Sequence, residues 1–179
     1  MGPVVRTRRI VVLMTEKVQT DILRSMSIAL NIRRGRLGDQ IAITNYNLQL
    51  AWETEHKRLD PYVVLAGVRA VLEDPSKGTY FVAETDDRIV GQLMITHEWS
   101  DWRNGDIWWI QSVYVHPDYR KTGIFKTLYH HTRQAAVESG AVMLRLYVEK
   151  DNQSAQRVYQ NLGMTLSDYH LMEENLPKG

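Results

Sequence analysis

The chain has 179 residues, 44% hydrophobic and 24% charged, with 22 Lys plus Arg against 21 Asp plus Glu and no cysteine. That length suits one domain with a full core, and the composition excludes collagen, coiled coil and wholesale disorder. No apolar run approaches the roughly 20 residues that span a bilayer, and the lack of cysteine excludes disulfides, thiolate metal ligands and a thiol nucleophile and fits a reducing, cytoplasmic setting.

The net charge of +1 is unevenly spread. Residues 1–40 hold 8 basic and 3 acidic side chains, and the remainder 14 basic and 18 acidic. The slightly acidic body argues against a broad nucleic-acid surface. Residues 1–26 read as a basic extension outside the fold, and residues 27–176 as the domain. Residues 27–33 read as a first strand. Asp39 is placed to cap a helix running to about Arg58, with Ile41, Leu48 and Trp52 near helical spacing. Pro61 opens a second helix with an apolar stripe of Val64, Val68, Val71 and Leu72, and Asp74-Pro75 ends it. Residues 79–84 and 88–98 read as a hairpin of two strands. Residues 99–105 form a polar-aromatic loop, and 106–115 an apolar strand broken by Pro117. A helix follows, with Phe125, Leu128, Tyr129, Thr132, Ala135 and Ala136 on one face. Residues 141–148 make another apolar strand. Asp151 or Asn152 caps a last helix, with Ala155, Val158, Tyr159 and Leu162 on its apolar face, and residues 164–173 read as a final strand.

The order predicts an α/β (α+β) fold. Short connections make the early strands antiparallel. The strand–helix–strand unit over 106–148 requires one parallel pair with a right-handed crossover, and helices cover both faces of the mixed sheet.

The stretch that carries chemistry runs from Val113 to Lys126. A central strand ends, and Arg120, Lys121, Thr122 and Gly123 lead into a helix start. Unpaired N–H groups there suit an anion, Gly123 keeps the backbone accessible, Arg120, Lys121 and Lys126 add positive charge, and Thr122 adds a hydroxyl, so Arg120 is expected among the cofactor-binding residues. Read alone, this is either a pyrophosphate cradle or an ordinary strand-to-helix turn with solvated charges; one glycine is neither a Walker loop nor a dinucleotide fingerprint.

Two motifs together resemble the GNAT superfamily of acetyl-coenzyme A-dependent N-acetyltransferases. Val113-Tyr114-Val115, Pro117 and Arg120-Lys121-Thr122-Gly123-Ile124 match the first, except that Phe125 stands where the family has a small residue. Asn152, Ala155, Tyr159, Gly163 and Met164 match the second at every position. The resemblance covers about residues 28–173. It implies a mostly antiparallel sheet whose one parallel pair splays apart to admit acetyl-coenzyme A. The main chain of Val113, Tyr114 and Val115 would pair with the pantetheine arm, and that of Lys121, Thr122, Gly123, Ile124, Phe125 and Lys126 would hold the pyrophosphate. Asn152 would hydrogen-bond the pantetheine, and Tyr159 would protonate the leaving thiolate. From periodicity alone Tyr159 is a core residue.

A general base is also needed, because a lysine-like amine is protonated below pH ~10.4. Trp108-Trp109-Ile110-Gln111-Ser112 contains no carboxylate, so the candidates are Glu98, His97, Asp101 and Asp106, with Glu98 preferred; a solvated Glu98 with a water relay is the plain alternative. Four of five tryptophans fall within residues 97–109; at least one of Trp108 and Trp109 is expected in the core, and the loop pair Trp99 and Trp102 either lines an acceptor pocket, covers the sheet or forms a dimer contact. No histidine pair has metal-ligand spacing. The resemblance implies direct acetyl transfer to a primary amine in a ternary complex, without metal or covalent enzyme intermediate; no membrane partner is expected from the apolar runs, and the acidic body weighs against nucleic-acid binding through residues 1–36. A homodimer stays open, and so does a non-catalytic acyl-coenzyme A sensor.

Overall fold

The computed structural model describes residues 30–86 and 88–177. The extension expected over residues 1–26 lies outside the described residues, as does the start of the expected first strand. The described residues pack as two units, divided between Leu146 and Tyr147.

In the first unit five strands form one sheet in the order β1-β2-β3-β4-β5. They are β1 (Asn31–Arg34), β2 (Thr79–Thr85), β3 (Arg88–Ser100), β4 (Gly105–Val115) and β5 (Met143–Leu146). All neighbours are antiparallel except β4 and β5, which run parallel. The helices are α1 (Gln40–Glu55), α2 (Pro61–Glu73) and α3 (Ile124–Glu138). Strand alternation sorts them between the faces. Tyr80, Val82, Ile89 and Tyr114 join Ile43 and Tyr46 of α1 and Val68 of α2 in one buried cluster. Phe81, between Tyr80 and Val82, points the other way and meets His131 of α3, with ring centroids 5.3 Å apart. The mixed sheet with one parallel pair and helices on both faces is therefore present as expected.

Several local expectations change. Asp39 does not cap α1 with its side chain. Its carboxylate accepts from the Arg36 N–H at 2.8 Å and pairs with Arg33 at 2.7 Å, while Arg33 also holds Glu84 at 2.8 Å. A guanidinium attracts a carboxylate more strongly than a neutral amide does. Asp60 does cap α2, accepting from Tyr62 N at 2.8 Å, with Pro61 at the first position. The aromatic loop shrinks to residues 101–104, because β3 and β4 keep pairing as far as Ser100 and Gly105.

The second unit holds α4 (Gln153–Asn161), capped by Asn152, whose Oδ1 accepts from Ala155 N at 3.0 Å. Residues 164–173 form no strand. Leu166, Tyr169, Leu171 and Met172 are exposed, and none of the described strands pairs with this segment. Apolar alternation alone makes no strand without a partner for its backbone groups.

Candidate active site

β4 pairs with β5 only from Ile107 opposite Met143 to Ile110 opposite Leu146. Beyond that point residues 111–115 have no ladder partner on the β5 side among the described residues. The register between β3 and β4 slips across Gln92 and Met94, and Ser112 adopts a left-handed φ of 49°. The bulge thus falls where pairing with β5 stops, and it re-aims the strand there. Gln92, fully buried, donates to Asn47 Oδ1 at 2.7 Å and reaches the Ser112 carbonyl at 3.4 Å. These contacts link the bulge to α1. The main chain of Val113, Tyr114 and Val115 follows directly on the open edge.

After His116 comes a 3-10 turn, Pro117–Tyr119, then Arg120, Lys121 at φ 65°, Thr122 and Gly123 at φ 92°, and α3 begins at Ile124. The first N–H groups of a helix have no carbonyl within it to donate to. A Cβ on Gly123 would meet nothing within 4 Å. Glycine is required there by the left-handed turn, and the surrounding space is open to an anion. At Gly91 of β3 the constraint is contact: a Cβ would stand 3.1 Å from Ile124 and 3.3 Å from Leu128. Close approach at Gly91 seats the start of α3 on the sheet.

The cradle side chains divide. Lys121 and Lys126 are exposed. The Thr122 hydroxyl donates to the Tyr119 carbonyl at 2.6 Å. Phe125 is half-buried with its ring 6.2 Å from Tyr129, while Ile124 takes the buried position. Arg120 turns toward α1. Its Nη2 pairs with Glu53 Oε2 at 2.6 Å, its Nε donates to the Val115 carbonyl at 2.9 Å, and its guanidinium lies 5.2 Å from the Tyr114 ring centre. The Tyr114 hydroxyl donates to Glu53 Oε1 at 2.7 Å and lies 2.8 Å from Gln49. Burial and the Glu53 carboxylate push the Tyr114 phenol up to about 12. Burial would raise the Glu53 carboxyl, but Tyr114 and Arg120 together hold it below the usual range.

Glu98 lies on β3 opposite Ile107, about 25 Å of strand from Val115. It accepts from the Trp109 indole and from Arg145 of β5 at 3.0 and 3.2 Å, and Arg145 also sits over the Trp109 ring at 5.5 Å. The structure therefore sets Glu98 in a Trp–Arg cluster well away from the Gly123 turn. His97 packs edge-on against Trp108, and Asp101 accepts from Trp102 N in the exposed tip. Trp108 is buried, whereas Trp99 and Trp102 are exposed.

In the second unit Asn152 and Tyr159 stand seven residues apart, two helical turns, on one side of α4. Burial pushes the Tyr159 phenol above its ordinary value, so it stays protonated at neutral pH. Among the described residues no group of three His, Asp or Glu is placed to hold a metal.

Glu53, Gln92, Ser112 and Arg145 were not picked out by sequence reasoning. Arg145 left a trace, as the one polar residue of β5. Glu53 left none, because it is one of two glutamates at the end of α1 and meets Arg120 only through the fold.

The model of the Acetyltransferase (GNAT) family matches residues 44–164. A solved structure described as a possible acetyltransferase from Clostridium difficile 630 superposes with a TM-score of 0.79 at 43% identity, covering 83% of this chain and 99% of that one. A mycothiol acetyltransferase of Corynebacterium aurimucosum is 28% identical over 127 residues, 69% of this chain and 42% of that protein. An uncharacterized N-acetyltransferase of Mycobacterium tuberculosis is 32% identical over 96 residues, 54% of this chain and 58% of that protein. The chain thus matches only about half the length of these curated relatives.

Proposed function

Because the chain belongs to the GNAT acetyltransferase family and is an acyltransferase, we propose that it transfers an acetyl group from acetyl-coenzyme A to a primary amine by direct attack in a ternary complex. The observation that carries this reading is the edge of β4 that has no ladder partner on the β5 side among the described residues. Pairing with β5 ends at Ile110, and the open main chain runs straight into the Gly123 helix start. An extended amide-bearing arm fits the first feature as an added strand, and a pyrophosphate fits the second.

In this reading acetyl-coenzyme A supplies an activated thioester. Val113, Tyr114 and Val115 align its arm through their main chain. The amides from Lys121 to Lys126 hold the phosphates, with Lys121 and Lys126 adding charge at the rim. Asn152 commits Oδ1 to its own helix, which leaves its amide N–H donors for the pantetheine. Tyr159, kept protonated by burial, gives its proton to the departing sulfur. Glu98 is the proposed proton acceptor for the amine. A carboxylate offers about four lone-pair sites, and Trp109 and Arg145 occupy three of them.

The test is thermal denaturation with and without acetyl-coenzyme A, then free-thiol release over a panel of primary amines. A stabilising shift and amine-dependent thiol release are expected. The protein has no cysteine to react with the thiol reagent, so the signal reports coenzyme A alone. Absence of any shift overturns the assignment; a shift without thiol release for any amine overturns the transfer step.

A further inference from the structure

The positively charged residue closest in sequence to the phosphate loop does not face it. Arg120 directly precedes Lys121 and Thr122, yet its guanidinium is engaged three ways on the other side: Glu53 at 2.6 Å, the Val115 carbonyl at 2.9 Å and the face of Tyr114 at 5.2 Å. Its charge is matched by a carboxylate 67 residues earlier in the chain. We infer that Glu53 and Tyr114 are positioning residues that hold Arg120 as a tether between α1 and the phosphate loop. In this role Arg120 fixes the loop by its side chain and does not contact the phosphates.

Three observations support the tether. First, the loop is strained: Lys121 is a non-glycine residue at φ 65°, two residues before Gly123 at φ 92°. A left-handed residue of this kind persists only where its surroundings over-determine it. The Arg120 contacts, one residue upstream, supply that constraint. Second, the contacts require an arginine. One planar group donates through Nε to the end of β4 and through Nη2 to α1 while stacking on an aromatic ring, which a lysine cannot reproduce. Third, Glu53 is held ionised by the same partners, and Tyr114, with its phenol pushed far up, remains a hydrogen-bond donor to it at any ordinary pH. A loop that binds through backbone amides depends on their spacing, so fixing it in advance raises affinity.

This inference rests on the acetyl-coenzyme A reading for its consequence, but its structural claim can be read without ligand. Tyr119 N, Arg120 N and Thr127 N are hydrogen-bonded across the loop and the first turn of α3, at 2.9, 3.2 and 3.0 Å. In ligand-free Glu53→Gln their hydrogen exchange is expected to accelerate threefold or more, with the amides of β2 and β3 unchanged. With ligand, Glu53→Gln is expected to raise KM for acetyl-coenzyme A three- to tenfold while kcat stays within twofold. Arg120→Gln should do the same, Arg120→Lys should fail to restore wild-type behaviour, and the double variant Glu53→Gln/Arg120→Gln should be no worse than either single one. If Arg120 were instead a phosphate ligand held back by Glu53, Glu53→Gln would bind coenzyme A more tightly and Arg120→Lys would behave like wild type; either result overturns the tether. Unchanged exchange in Glu53→Gln overturns it as well. Accelerated exchange in a protein whose wild type fails to bind coenzyme A would uphold the tether and remove the cofactor reading.

Discussion

Tyr159 sits half-buried on α4, and burial moves its phenol in the direction a proton donor needs: ionisation is pushed above the usual tyrosine range, so the hydroxyl carries its proton through the pH range of ordinary assays. A positioned acid of this kind contributes about 10²–10⁴ in rate. Tyr159→Phe should therefore lower kcat tenfold or more while leaving coenzyme affinity and the melting temperature unchanged. Steady-state kinetics with a binding titration decides this, and undiminished turnover would return Tyr159 to a packing role. Glu98 presents the opposite case. Its partners Trp109 and Arg145 leave it one lone pair, so its chemistry depends on neighbours from two other strands. Nothing in the local sequence around Glu98 announces either of them.

At the level of elements, the decisive contact is that between α3 and β3. Gly91 lets Ile124 and Leu128 approach the sheet so closely that a methyl group would have to displace them by a few tenths of an ångström. Gly91→Ala is expected to destabilise the protein by about 1–3 kcal/mol, as overpacking does, and to weaken coenzyme binding because it lifts the start of α3. A melting temperature equal to wild type would show that the helix can yield there without loss. The helix itself, its start after Gly123 and the strand before it were legible, because apolar periodicity and turn residues are local signals. The bulge at Ser112 was not, since a register slip is a relation between two strands. The strand expected over residues 164–173 failed for the same reason: alternation describes a face, and a face becomes a strand only beside a partner. Asp39 illustrates the point on α1, where Arg33 and the Arg36 amide took the carboxylate that the helix start was expected to use.

For the molecule as a whole, one ion cluster joins β1, β2 and the entry to α1. Burial would raise the Asp39 carboxyl, but Arg33 and the Arg36 amide hold it below its ordinary value, and Arg33 holds Glu84 down likewise. Carboxyls lowered by folding stabilise the native state above their unfolded values, near pH 4, and lose that contribution as pH falls through their folded ones. The urea midpoint should thus drop on acidification below about pH 5. Arg33→Met should lower the midpoint at pH 7, and its difference from wild type should shrink by pH 3. A difference that stays constant with pH would mean that the cluster adds nothing through charge. Among the described residues no helix is long and apolar enough to cross a membrane, and the chain matches only part of the length of its curated relatives.

By itself the sequence determined the family, the alternation of strands and helices, and the position of the glycine turn that opens α3. These follow from local periodicity, turn chemistry and two motifs whose spacing survives without knowledge of the fold. Only the tertiary structure decided where pairing between β4 and β5 ends, which way Arg120 points and what surrounds Glu98. Each of these depends on residues far apart in the chain, such as Glu53 with Arg120, and a side chain chooses among partners only after the fold has brought them within hydrogen-bonding distance.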